Sequence, residues 1–173
     1  PLVNRYGFGP IEGRYVPFLD GIEHTGKKVT KRNADATIDL CGIAKGYAID
    51  LVKDGLSKAG ARHALIEIGG EFTAIGTHPN GRDWRVAVES PLSGATNAVT
   101  AVRLGNRAIA TSGHRHQGIR GPGAITHIIS PLSERPTDQQ ILSASVIADT
   151  AMDADAWSTS LCAMEADEAV SLA

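Results

Sequence analysis

Apolar and polar positions along this chain follow two periods, and each change of period marks an element. Ala44, Tyr47, Ala48, Leu51 and Val52 recur near helical spacing, which predicts a helix over about Ile43 to Ala59 with Gly60 as its stop. The apolar run Ala64 to Ile68 reads as a strand; Gly69-Gly70 breaks it, and Glu71 to Gly76 resumes as a second. Trp84 to Glu89 and Ala98 to Leu104 alternate with period two, and Arg107 to Thr111, Thr126 to Ile129 and Leu142 to Ala148 read as further strands. Short turns between these runs favour antiparallel pairing over crossover units. A last helix starts at Thr150-Ala151-Met152-Asp153-Ala154-Asp155 and continues through Trp157, Leu161 and Met164 to about Glu165. Pro1 to Pro17 has no period and reads as irregular, while the basic stretch within Gly21 to Asp35 suits a short exposed hairpin with a solvated edge. The expected fold is α+β, an antiparallel sheet with two helices packed on it.

Composition narrows the partners. At 173 residues, with 42% hydrophobic and 21% charged residues, the chain has the make-up of one globular domain. A net charge of -2 gives no general attraction for nucleic acid or an anionic membrane, so any anion site has to be local. Aromatic content of 5% leaves few platforms for stacking bases, and no run of eighteen apolar residues is present to span a membrane. Cys41 and Cys162 are too few for a disulfide framework and are expected to be buried free thiols.

Four places hold candidate chemistry. The stretch Asp39-Leu40-Cys41-Gly42-Ile43-Ala44-Lys45-Gly46-Tyr47-Ala48-Ile49-Asp50 leads small residues into a helix with Lys45 in its first turn. A helix start exposes backbone N–H groups and the positive dipole end, so it suits a phosphate; it is also what an ordinary strand-to-helix junction looks like. Neither the Walker spacing nor the dinucleotide glycine pattern is present. Gly69-Gly70, between Glu67 and Glu71, is either a tight turn or a place where backbone approaches a ligand. Asp155 and Thr159 are four apart, so they lie one above the other on a helix face as hard oxygen ligands of the kind magnesium accepts, or as a solvent-facing pair. His114 and His116, two apart, could share one face of a strand and bind a metal, but no strand pattern surrounds them in this Gly-rich basic stretch and they read as exposed loop residues.

Taken together and in order, these motifs resemble those of the ApbE family, the FAD:protein FMN transferases, also called thiamine-biosynthesis lipoproteins. Asp39 to Asp50 is similar to the family's Asp-Leu-Gly-Gly-Ile-Ala-Lys-Gly-Tyr-Ala-x-Asp with one change. Glu67 to Glu71 stands where the family has Asn-x-Gly-Gly-Asp, and Ala110-Thr111-Ser112-Gly113 repeats its Ala-Thr-Ser-Gly. His127-Ile128-Ile129-Ser130-Pro131 resembles His-Ile-Ile-Asp-Pro, Ala151 to Thr159 resembles the closing helix, and Tyr6-Gly7-Phe8-Gly9 is similar to a preceding Trp-Gly-Phe-Gly. Ser93-Gly94-Ala95-Thr96 looks like the end of the motif such enzymes modify, although a turn between strands is the expected reading.

The resemblance implies a T-fold-like α+β architecture and magnesium-dependent transfer of FMN from FAD to a Thr or Ser of an acceptor flavoprotein. The alternatives it leaves are FAD diphosphatase activity, releasing FMN and AMP, and a non-catalytic flavin-binding relic. It implies metal ligands at the Gly42 carbonyl, Asp155 and Thr159, with Ser158 a weaker candidate, and catalytic roles for His127 and Asp155. It implies FAD contacts at Asp39, Lys45, Gly69, Gly70, Thr111, Ser112, Gly113, His127 and Ile128. It also implies a periplasmic or outward-facing envelope location, and that residues 1–173 are the C-terminal portion of a flavin transferase domain. Lacking the N-terminal part that helps hold the flavin ring, the chain is expected to bind FAD weakly or not at all by itself.

The chain departs from the family pattern in four places. Cys41 replaces a Gly, Ser130 an Asp, and Ser133-Glu134 a Thr-Gly, while His114-Arg115-His116 stands where a Tyr is expected. The reading rests on geometry: the loop ahead of Lys45 and the first turn holding Asp155 must face each other.

Overall fold

The computed structural model describes residues 21–92, 97–114, 125–138 and 140–173. The chain begins with a hairpin, β1 (Ile22–Thr25) and β2 (Lys28–Lys31), whose second strand is fully exposed, as its basic residues predict. Helix α1 (Ala44–Lys58) follows. Then come β3 (Ala64–Ile68), β4 (Glu71–Ile75), β5 (Arg85–Glu89), β6 (Ala98–Arg103) and β7 (Ala108–Gly113). The short strands β8 (Ile129–Ser130) and β9 (Arg135–Pro136) precede β10 (Ser143–Ala148), helix α2 (Ala151–Ala163) and helix α3 (Ala166–Leu172). The third helix was not expected from the periodicity, which ended at about Glu165.

The central sheet has the order β10-β7-β4-β3, and every strand pairing among the described residues is antiparallel. Strand alternation divides its side chains between two layers. On one face Ile66 and Ala108 meet Ile49 of α1 and Ala151 of α2, with Ala64, Ile68 and Ile75 around them. On the other face Ala74 and Ile109 pack on Val86 of β5 and on Leu104, with Phe72, Trp84, Val102 and Ile147 around them. The molecule is therefore helices, then sheet, then the β5–β6 ribbon. The same alternation puts Glu71 and Ser112 on the helix face.

The helix periodicity located α1 and α2 but misjudged the face of α1. Tyr47, Leu51 and Val52 are exposed, and the buried residues are Gly46 and Ile49. Backbone proximity decides this, because α1 and α2 cross where Gly46 has no side chain. A Cβ added at Gly46 would stand 2.3 Å from the Ala151 carbonyl oxygen and 2.7 Å from the Met152 Cα. One turn further along α1, Asp50 accepts the first two α2 amides, Ala151 N–H at 2.8 Å and Met152 N–H at 2.9 Å. Thr150 completes the cap by accepting the Asp153 N–H at 3.1 Å. The stripe that α2 buries is correspondingly small: Ala151, Ala154, Asp155, Ser158 and Cys162.

Two further local differences separate the structure from the sequence expectation. The strand expected over Thr126 to Ile129 begins only at Ile129, because the Thr126 hydroxyl takes the Ile128 N–H at 3.2 Å and competes with ladder pairing. Cys41 is exposed rather than buried, while Cys162 is buried as expected. Among described non-glycine residues only Glu134 has positive φ, at 57°, so Cys41 replaces its glycine without backbone strain. Pro1 to Pro17, Ser93 to Thr96 and His116 lie outside the described residues.

The helix crossing is tested by two alanine substitutions. Gly46→Ala is expected to destabilise the protein at or beyond the upper end of the about 1–3 kcal/mol typical of overpacking. Gly55→Ala, in the same helix with open space at its Cβ, is expected to stabilise it by about 0.5–1 kcal/mol. Urea unfolding of both variants measures the difference; equal midpoints would contradict the close crossing.

Candidate active site

The crossing of α1 and α2 assembles the site. Gly46 N–H, in the first turn of α1, does not bond back along its own chain; it donates to Asp155 Oδ2 at 3.0 Å. Among the described residues no backbone hydrogen bond uses the Gly42 carbonyl, the acceptor that an i to i−4 bond from Gly46 would have reached. Gly42 itself abuts α2: a Cβ there would lie 3.1 Å from Thr159 Cγ2 and 3.4 Å from Thr159 Oγ1. The structure thus brings Gly42, Asp155 and Thr159 together, as the sequence reading requires.

Lys45 and Glu71 form the second part. Lys45 Nζ donates to Glu71 Oε1 in an ion pair whose carboxylate is almost completely buried. The other oxygen, Glu71 Oε2, is buried without a hydrogen-bond partner among the described residues. The Gly69-Gly70 turn closes over this pair, and a Cβ on Gly69 would stand 3.3 Å from Lys45 Cδ. Both glycines have positive φ, 62° and 96°, and Ile68 pairs with Glu71 across them, so they form a two-residue hairpin turn of the I′ class. Turn geometry and close approach, which the sequence left as alternatives, coincide here.

Ser112 is the third part. Its hydroxyl lies 2.8 Å from Ser158 Oγ and 2.9 Å from Thr159 Oγ1. Ser158 is fully buried and donates to the Asp155 carbonyl at 3.0 Å. Thr111, next to Ser112 on β7, points to the opposite face and pairs across strands with Ser145 Oγ at 2.8 Å, away from this cluster. Gly113 packs its backbone against Leu142 and Ser143. Asp39 is exposed, and its Oδ1 accepts the Cys41 N–H at 2.9 Å, shaping the loop ahead of Gly42.

His114 is the clearest correction. It is buried at 4% exposure, because β7 and β10 continue their ladder past Gly113 through the His114 N–H to Leu142 carbonyl bond at 3.2 Å. His114 Nδ1 shares a hydrogen bond with the Thr126 hydroxyl, the same oxygen that accepts the Ile128 N–H. Thr126 is a residue that sequence reasoning missed, and its only signal was a hydroxyl just ahead of His127. Ile128 is buried and His127 half-buried.

The electrostatics follow from burial. Desolvation pushes the Asp155 carboxyl above the ordinary carboxylate range, against the Gly46 N–H and the Lys45 charge, which pull it down. Desolvation likewise raises Glu71, opposed by Lys45 and reinforced by the negative charge of Asp155. His127 is lowered by burial and then by the positive charges of His114 and Lys45, and His114 is lowered by burial. Both imidazoles are therefore neutral at pH 7. Burial pushes the Cys162 thiol up to about 11, so it is inert.

No group of three His, Cys, Asp or Glu residues suited to a metal occurs among the described residues. The donor set here is of another kind: one carboxylate oxygen, one carbonyl and one hydroxyl. Gly42 O and Asp155 Oδ1 accept no hydrogen bond from described residues, and Thr159 Oγ1 is bonded to Ser112 alone. Few hard oxygens with room for phosphate and water fit magnesium.

The α+β fold thus brings the start of α1, the middle of α2 and a glycine hairpin together around a lysine, two carboxylates and hard oxygens. The chain belongs to the ApbE family, whose model matches residues 1–173. It is 34% identical, over its whole length and 56% of the relative, to a Vibrio cholerae protein named FAD:protein FMN transferase. A Salmonella typhimurium protein of the same name is 31% identical over 93% of this chain and 51% of its own length. The fold is that of the solved flavin transferase ApbE from Vibrio cholerae, with TM-score 0.80 and 32% identity over 99% of this chain and 59% of that one. It also matches the apo flavinyl transferase ApbE of Pseudomonas stutzeri, with TM-score 0.80 and 31% identity over 99% of this chain and 57% of that one. The chain spans about half the length of the curated relatives it matches.

The raised carboxyls fix the sign of a pH effect. A carboxyl whose folded pKa lies above its unfolded value contributes stability below that unfolded value, about 4, and loses it as pH rises through the folded one. Metal-free protein in EDTA is therefore expected to lose thermal stability as pH rises from about 4 toward neutrality. Asp155→Asn, which keeps an acceptor for Gly46 N–H, is expected to flatten part of that loss and to melt above the parent near pH 7. Melting curves across pH check this; a variant melting below the parent at neutral pH would show that burial does not dominate Asp155.

Proposed function

We propose that this domain transfers the FMN portion of FAD to a hydroxyl of an acceptor flavoprotein, using magnesium. The observation that carries the reading is the meeting of Gly42, Asp155 and Thr159 at the α1–α2 crossing, beside Lys45. The names of the curated relatives supply the class of substrate.

In the reaction, a threonine or serine oxygen of the acceptor attacks the phosphorus on the FMN side of the diphosphate. The bond from that phosphorus to the bridging oxygen breaks, and AMP leaves with the bond's electrons. Bound magnesium would neutralise charge developing on the diphosphate. Gly42, Asp155 and Thr159 would hold it, leaving its other positions for phosphate and water. Lys45, already aimed into the site by Glu71, offers a mobile positive charge to the diphosphate. The Gly69-Gly70 turn lets backbone come close without a side chain in the way. His127, neutral at pH 7, takes the proton released by the attacking hydroxyl.

The test is to incubate the protein with magnesium, a candidate acceptor flavoprotein and FAD at a concentration high enough to offset the weak binding expected of this chain by itself, following AMP release and acceptor mass together. The expected result is AMP in step with an acceptor mass increase of one FMN less water. AMP release with no acceptor modification would show hydrolysis by water instead. Bound FAD with no AMP release would overturn both. His127→Ala is expected to lower turnover by about 10²–10⁴, the usual contribution of a positioned acid–base group. Wild-type turnover is expected to rise with pH through an apparent pKa below about 6.5, the ordinary histidine value; a profile flat between pH 5 and 8 would remove His127 from proton transfer.

A further inference from the structure

The hydroxyls of Ser112, Ser158 and Thr159 can be given directions, and the directions have a consequence for the cation site. A hydroxyl has one proton and two lone pairs. Ser158 spends its proton on the Asp155 main-chain carbonyl, a group that can only accept, at 3.0 Å. In the 2.8 Å contact between Ser112 and Ser158, Ser112 must therefore be the donor. Its single proton is then used, so in the 2.9 Å contact with Thr159 the donor must be Thr159. The protons run one way: Thr159 to Ser112, Ser112 to Ser158, Ser158 to the Asp155 carbonyl.

That order leaves Thr159 Oγ1 with its proton held toward β7 and both lone pairs unspent, next to Gly42. A hydroxyl free to rotate would spend part of its time aiming its proton at the nearby acceptors, which repels a cation. We infer that Ser112 is a positioning residue for the cation site: by accepting the Thr159 proton it holds the Thr159 oxygen in the orientation a divalent cation needs. Ser158 is the anchor of this relay rather than a ligand, since its proton and one lone pair are both committed and it is fully buried. The relay is anchored on the backbone of Asp155, so the residue that supplies the carboxylate also sets the direction of the hydroxyl four positions on. Ser112 gives the Ala-Thr-Ser-Gly stretch a role in metal binding distinct from contact with the flavin nucleotide.

This inference rests on the cation reading above, and the experiment separates the two. Manganese, as a magnesium surrogate, is titrated into the protein in the presence of FAD and followed by electron paramagnetic resonance. Wild type is expected to bind and Asp155→Asn to lose binding; if wild type does not bind, or Asp155→Asn binds as wild type does, the cation reading itself falls. Given that pattern, Ser112→Ala is expected to weaken manganese binding about tenfold, the lower end of what partners of metal ligands contribute. In a Thr159→Val background, where no hydroxyl is left to orient, Ser112→Ala is expected to cost nothing further. A merely structural Ser112 would give the same loss in both backgrounds. Ser158→Ala is expected to show the same dependence on Thr159, and serves where Ser112→Ala lowers the EDTA melting temperature. Unchanged affinity in these serine variants, or a loss that persists without the Thr159 hydroxyl, overturns the relay and leaves the cation site standing.

Discussion

One hydrogen bond organises this site: Gly46 N–H to the Asp155 carboxylate, made between residues 109 positions apart. It ties the first turn of α1 to the first half of α2. It also diverts an amide that would otherwise close a helical bond to Gly42, leaving that carbonyl uncommitted. Glycine is required because α2 backbone occupies the space a Cβ would need. Asp50, one turn further on, repeats the tie by capping α2. The contacts run antiparallel, Gly42 beside Thr159, Gly46 on Asp155 and Asp50 on the first α2 amides, so the start of α1 faces the middle of α2. Much of the local sequence, small residues on α2, Gly46 on α1 and Gly42 just ahead of it, serves this approach rather than bulk burial.

This explains what the sequence could and could not reveal. The sheet was legible because alternation with period two is a direct readout of a two-faced layer, and β3, β4, β5, β6 and β10 fall within a residue or so of where the pattern predicts them. The helices were legible as helices. Which side of α1 is buried was not, because apolar spacing points to Tyr47 and Leu51, whereas the structure buries Gly46 and Ile49. Hydrophobicity cannot signal a contact made by the absence of a side chain. Asp50 was invisible for a related reason: a mid-helix carboxylate reads as a solvated charge until a second helix start is brought beneath it.

The candidate site divides in the same way. Gly42, Lys45, Asp155 and Thr159 could be picked out by residue type and spacing, and the fold gathers them. His114 could not be placed correctly, since its burial depends on β7 and β10 continuing past Gly113. Thr111 and Ser112 are neighbours in one motif, yet the pleat sends them to opposite faces, Ser112 toward Thr159 and Thr111 toward Ser145. A contiguous motif on a strand is two half-motifs in space. Only the half facing α1 and α2 belongs to the oxygen cluster.

The charge balance of the cluster gives the arrangement its chemical sense. Two nearly fully buried carboxylates, Asp155 and Glu71, face a single ammonium from Lys45, and both histidines nearby are held neutral. Removing carboxylates from water is costly unless opposite charge replaces the lost solvation. Here the Lys45 pairing is made to Glu71, and Asp155 is left with one amide donor and an upward pull on its pKa. The protein thus carries a standing cost at neutral pH at the place where its free oxygens lie. A divalent cation would relieve that cost, and an anionic diphosphate brought with it would in turn compete with Glu71 for Lys45. The same unbalanced charge that burdens the fold would therefore favour a cation–diphosphate pair.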